Sequence, residues 1–200
     1  MFGFNPRPDS LRRARHAATR AMDLDVGNQH AWEALAVSCF FDHDRAGFLD
    51  AAERAIALNP RNTNTAAWIG TLLAHMGEHD RGIEIVDRAI ALNPYHPRWY
   101  YFAHFVAHYD RGNFTEALHA ARKVNMPDHL WSQFALALSC AELGLADEGQ
   151  RALDAFFRIA PELAAGGEAS VRDLSARWKW SNDVVEQIMD GFRKALALSR

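Results

Sequence analysis

One heptapeptide occurs twice in this chain. Arg54-Ala55-Ile56-Ala57-Leu58-Asn59-Pro60 returns letter for letter as Arg88-Ala89-Ile90-Ala91-Leu92-Asn93-Pro94, an offset of 34 residues (54 to 88). A degenerate copy, Arg20-Ala21-Met22-Asp23-Leu24-Asp25, stands one period upstream, with Val26 in place of the proline. Downstream, Pro94 is followed by Pro127 at 33 residues and Pro161 at 34 more. Concordant offsets of this size mark an array of one supersecondary unit, in which no copy can bury its apolar face alone. The hydrophobic 49% of the 200 residues is therefore spread along a stack of units, not gathered in one central core.

Each period reads as two helices. Ala31 to Phe41 and Ala46 to Leu58 carry apolar residues at helical spacing, and Asn-Pro stops the second. The next periods divide at Gly77-Glu78, Gly112-Asn113 and Gly144-Leu145, where a first helix should end on a left-handed residue. His43-Asp44 fills that role in the first period. With the turn glycine as position 15, position 8 reads Ala36, Gly70, Phe105, Ala137 and position 20 reads Phe48, Gly82, Ala117, Gly149, with Ala14 upstream. Position 27 reads Ala21, Ala55, Ala89, Val124, Phe156. Where one of positions 8 and 20 is large the other is small, as dense packing of paired helices requires.

This pattern resembles the tetratricopeptide repeat over residues 9–161. Of the family's position-4 tryptophans only Trp32 is present; Ala66, Tyr101 and Gln133 replace the others. The resemblance implies an all-α, right-handed superhelix (solenoid) of about four and a half helix pairs, a single domain over 1–200. Its parts are a half repeat at 9–25, repeats at 29–62, 63–96, 98–127 and 130–161, and C-terminal capping helices at 169–198.

After Pro161 the period stops. Ala164-Ala165-Gly166-Gly167 reads as a loop and Ser170 to Trp178 as a short helix. Ser181 should cap a last helix whose apolar face is Val184, Val185, Ile188, Met189, Phe192 and Leu196, covering the open end of the array. The stretch Leu174-Ser175-Ala176-Arg177-Trp178-Lys179-Trp180, then Asp183 and Gly191-Phe192-Arg193-Lys194-Ala195-Leu196, is similar to the ending of tetratricopeptide regions in bacterial nucleotide cyclases and winged-helix or TolB-like regulators. That similarity implies an excised regulatory portion of a larger signalling protein. Met1-Phe2-Gly3-Phe4 is the candidate to patch the open face of the half repeat.

In the family, positions 2, 5, 6, 9, 12 and 13 line the concave surface. The resemblance therefore implies a groove of Phe40 and Phe41, then Trp68, Thr71 and His75, then Trp99, Phe102, Val106 and Tyr109, then Trp131, Phe134 and Leu138. Rings bury much area at small entropic cost and are enriched in binding hot spots; the alternative is that half of these pack against their own neighbours or under the C-terminal helix. The function expected is a non-catalytic protein–protein interaction module binding a peptide or partner segment, with Glu33, His75, Asp110 and Glu142 orienting it from the rim. The alternatives are a small-molecule-sensing regulatory domain, and self-association into a homo-oligomer through the N-terminal half repeat.

Other classes find little support. The net charge of -3 and the short basic run Arg12-Arg13-Ala14-Arg15 argue against nucleic acid. No apolar run reaches a membrane span and no signal peptide is expected. Two cysteines point to a reducing, cytoplasmic setting. Cys39 and Cys140 both fall at position 11 and read as buried small hydrophobes. His104 and His108, and His75 and His79, have the four-residue spacing of metal ligands, but the first pair faces a partner helix and the second straddles Gly77. No metal, no cofactor and no catalytic residue is expected, because no phosphate loop, paired carboxylates or strained nucleophile turn is present.

Overall fold

The structure, a computed structural model, describes residues 9–178 and 180–198; Met1 to Phe4, the candidate patch, lie outside the described residues. Among the described residues there are eleven α-helices, one short 3₁₀ turn and no strand. The chain divides into two compact units, Met1–Ile69 and Gly70–Arg200.

The first unit contains α1 (Ser10–Leu24), α2 (Gln29–Phe41), α3 (Arg45–Leu58) and the opening turns of α4 (Thr63–His75). The Asn28 side chain caps α2 by accepting from the Ala31 N–H at 3.2 Å, and Asp44 caps α3 by accepting from the Gly47 N–H at 2.9 Å. Between them His43 sits at φ 59°, the left-handed conformation that Gly77 (81°), Gly112 (73°) and Gly144 (67°) take in the later periods. The first period thus keeps the turn without its glycine, as histidine occasionally does. Packing α2 on α3 leaves Ala36, Phe48, Ala51 and Ala55 fully buried, and truncating such a phenylalanine costs about 3–5 kcal/mol. Polar links tie the helices together. The Trp32 indole N–H donates to the Val26 carbonyl at 2.8 Å while the Arg54 guanidinium lies 5.0 Å over the same ring. The Gln29 amide donates to the Ala55 carbonyl at 2.7 Å and accepts from the Asn62 amide at 2.8 Å.

The second unit runs through α5 (His79–Leu92), α6 (Phe102–Asp110), α7 (Phe114–Val124), α8 (Leu130–Glu142), α9 (Ala146–Ile159), α10 (Pro161–Ala176) and α11 (Asn182–Ala197), with the 3₁₀ turn Arg98–Tyr101 leading into α6. Proline at 97 sets the entry to that turn. Helices pair as α6 with α7 and α8 with α9. At the start of the unit the backbones meet directly: a Cβ on Gly82 would lie 2.5 Å from the Gly70 carbonyl oxygen. This is the close approach that small residues at positions 8 and 20 allow.

The tail departs from one expectation. Residues 164–167 form no loop; α10 begins with Pro161 in its first turn and continues through the alanines, leaving helical geometry only at Gly167 (φ 59°, ψ -150°). Proline in a first helical turn is preset for helix, Ala164 and Ala165 favour it, and only glycine reaches the conformation at the break. Ser181 caps α11 by accepting from the Val184 N–H at 3.4 Å. Val185, Ile188, Met189 and Phe192 are buried against α8 and α9, with Val184 and Leu196 half-buried at the margins.

Candidate partner-binding face

The ring-rich positions fall into two groups. Phe40, Thr71, Val106, Tyr109 and Phe134 are buried, whereas Phe41, Trp68, His75, Trp99, Phe102 and Trp131 are half-buried. In the first unit, Phe41 stands edge-on to Phe40 at 5.0 Å, and Phe40 reaches Phe48 at 6.1 Å. In the second, Trp99 packs edge-on to Tyr100 at 4.6 Å and Phe102 lies 5.6 Å from the His129 ring.

Much of this face in the second unit is occupied by the chain's own tail. Trp178 stacks on His75 with ring centroids 4.9 Å apart and planes 22° apart. The Trp180 ring lies 5.0 Å away, and its indole N–H donates to His75 Nδ1. Trp131 stands perpendicular to both indoles, at 5.5 Å and 6.3 Å. Further along, the Gln187 amide donates to the Tyr109 carbonyl at 2.8 Å, Phe192 lies 6.1 Å from Phe134, and Lys194 pairs with Glu142. Gly191 is what lets α11 lie this close, since a Cβ there would run into the Tyr109 hydroxyl.

The four rim groups are all engaged inside the molecule. Thr65 donates its hydroxyl to Glu33 at 2.6 Å, and His79 Nε2 lies 2.7 Å from an Asp110 oxygen. His75 accepts from Trp180, and Glu142 holds Lys194. Two of the four are thus satisfied by the tail itself. In the sequence Trp178, Trp180 and Lys194 stand out only as part of the closing stretch and Gln187 not at all; the one signal that they meet this face was two tryptophans in a stretch that no longer followed the period.

The electrostatics follow from burial. Enclosure between indoles, and secondarily the nearby His79, pushes the His75 pKa down to about 3. Although the residue keeps some surface, its ring is shielded, and the bond from Trp180 requires an unprotonated Nδ1. Burial also lowers His108 and His129. The Tyr109 phenol is held well above its ordinary pKa, first by burial and then by the Glu142 carboxylate; among the described residues its hydroxyl has no aligned hydrogen-bond partner. Burial pushes the Cys39 thiol up and Cys140 to about 11, and both cysteines are free. His104 bonds to Asp87 at 2.9 Å across to α5. No group of three or more His, Cys, Asp or Glu among the described residues is placed to hold a metal ion. No helix among them is long and apolar enough to cross a membrane.

No protein-family model matches the chain, and no curated protein does. Solved structures do. A chain of the APC/C hetero-tetramer Cut9–Hcn1 is 15% identical with a TM-score of 0.68, over 96% of this chain and 37% of that one. PilW, a type IV pilus biogenesis factor, is 15% identical with a TM-score of 0.67, covering 94% and 82%. YrrB, a TPR protein with an unusual peptide-binding site, is 13% identical with a TM-score of 0.57, covering 92% and 93%. The fold is of the tetratricopeptide-repeat (TPR) type. At these identities the likeness concerns the fold alone.

Proposed function

We propose that this chain is a non-catalytic protein-interaction module that takes a partner segment on the face of its first helices. In the second unit the contact residues are His75, Trp99, Phe102 and Trp131, with Phe41 and Trp68 as contacts on the first unit; Tyr109 is buried against α11. The carrying observation is the tail: a segment of polypeptide is already seated on that face through rings and a few directed polar bonds. Apolar burial supplies affinity, and the single polar groups set orientation. YrrB, a neighbour in fold, has a peptide-binding site of its own. The likeness of the closing stretch to the tetratricopeptide regions of nucleotide cyclases and winged-helix regulators supports a regulatory role at the C-terminal side of a larger signalling protein.

The test is crosslinking-mass spectrometry of the full chain with bound protein, compared between the natural sequence and Trp99→Ala and Phe102→Ala. Both rings are half-buried, so helix content should persist while crosslinked partner falls about tenfold or more, the scale of a hot-spot truncation. Undiminished partner in both folded variants would overturn the reading.

A further inference from the structure

The link between α10 and α11 carries Trp178 and Trp180, and these rings close over His75 and Trp131. We propose that this indole pair is a stand-in for an external ligand: the His75–Trp131 surface reads two tryptophans spaced one residue apart in a partner segment, and the chain's own pair holds the surface until such a segment displaces it. This rests on the interaction reading above and names the partner's chemistry.

Three observations carry the proposal. The first is fit. Trp178 and Trp180, one residue apart, both bring their rings onto the His75 imidazole, so a partner segment with the same spacing can do so as well. The second is specificity. The Trp180 N–H donates to His75 Nδ1, which phenylalanine cannot do, and a partly enclosed acceptor left without its donor disfavours an analogue lacking the N–H. The third is separability. The helices on either side have anchors of their own. Val171 and Ser175 of α10 are buried, as are Ile188, Met189 and Phe192 of α11. Arg172 holds Glu186 at 3.1 Å and Arg193 holds Glu168 at 3.0 Å, joining α10 to α11 directly. The short link can therefore give up its rings while α11 stays on α8. Trp180 is only half-buried, so a competing indole has a side from which to enter.

The probe is a labelled peptide, acetyl-Arg-Trp-Lys-Trp-Ser-amide, which copies residues 177–181, titrated by fluorescence anisotropy into the full chain. A docked tail lowers apparent affinity by the fraction of time the surface is open, so Trp178→Ala/Trp180→Ala should bind the peptide about tenfold more tightly than the natural chain. Adding His75→Ala should remove that gain, and a peptide with phenylalanine at both tryptophan positions should bind about tenfold less tightly. Because Trp178 is buried, Trp180→Ala alone serves as the variant if the pair disturbs folding, with the same direction of change expected. The proposal is overturned if the opened variants bind no more tightly than the natural chain, if the phenylalanine peptide binds equally well, or if light scattering shows a dimer that Trp180→Ala dissolves, which would place a second copy's tail on the surface. If the peptide result fails while Trp99→Ala and Phe102→Ala still lose crosslinked partner, the stand-in idea falls and the interaction reading remains.

Discussion

Replacing Gly191 with alanine sets two effects against each other. In a bare helix interior alanine is about 1 kcal/mol more favourable than glycine. In α11 the added methyl would come within the 3.0 Å of the Tyr109 hydroxyl that real Cβ atoms essentially never breach, and would meet Glu142 Oε1 at 3.1 Å and Leu138 Cδ2 at 3.3 Å. The tyrosine cannot swing away: it is 3% exposed, with Phe105 at 5.5 Å and Phe114 at 5.3 Å. The helix must then retreat, which loosens the Gln187 bond to the Tyr109 carbonyl and draws Phe192 off Phe134. Overpacking of this kind costs about 1–3 kcal/mol and a weakened hydrogen bond about 1 kcal/mol more. The steric side outweighs the propensity gain, leaving a net loss of about 2 kcal/mol, or a Tm lower by roughly 4–8 °C for a domain of this size. Far-UV circular dichroism melts measure this directly. Tyr109→Phe removes the obstructing oxygen and gives up no aligned hydrogen bond, so the Tyr109→Phe/Gly191→Ala pair should recover at least half of the loss. A Gly191→Ala chain that melts higher, or a double variant that recovers nothing, would refute the close-approach argument.

Two further outcomes are expected. Gly82→Ala should destabilise by about 2 kcal/mol despite its better helix propensity, because its Cβ would face the Gly70 carbonyl at 2.5 Å and the Ala74 nitrogen at 3.0 Å, both backbone atoms that cannot rotate aside; equal or higher stability in urea titration would contradict this. With His75 at about 3 in the folded chain and 6.5 when unfolded, the unfolded chain binds the extra proton between those values, so stability is complete above pH 6.5 and is lost as pH falls towards 3, by at most about 1.4 kcal/mol per unit. His75→Gln should flatten that slope by about one proton; an unchanged slope would mean the imidazole is not held neutral by the indoles.

The helices and their turns were legible in the sequence because they depend on local chemistry. A 34-residue recurrence (54 to 88) marks the second helices, and residues able to turn left-handed mark the ends of the first ones, His43 included. The cap of α11 and its apolar face could be read for the same reason, since Ser181 and the residues from Val184 to Phe192 lie within a few turns of each other. The break in α10 could not be placed, because Gly166 and Gly167 look alike in sequence and only the folded backbone shows that the second leaves helical geometry. Least legible was the state of the face proposed for a partner. Trp180 meets His75 across 105 residues of chain, and Lys194 meets Glu142 across 52. No repeat register connects the tail to those helices, so no spacing rule could pair them. What sequence alone determined is a stack of helix pairs presenting rings on one set of positions. What only the tertiary structure decided is that in the second unit those rings already hold a segment of the same chain, because covering exposed aromatic surface lowers the free energy and the tail is the polypeptide always within reach.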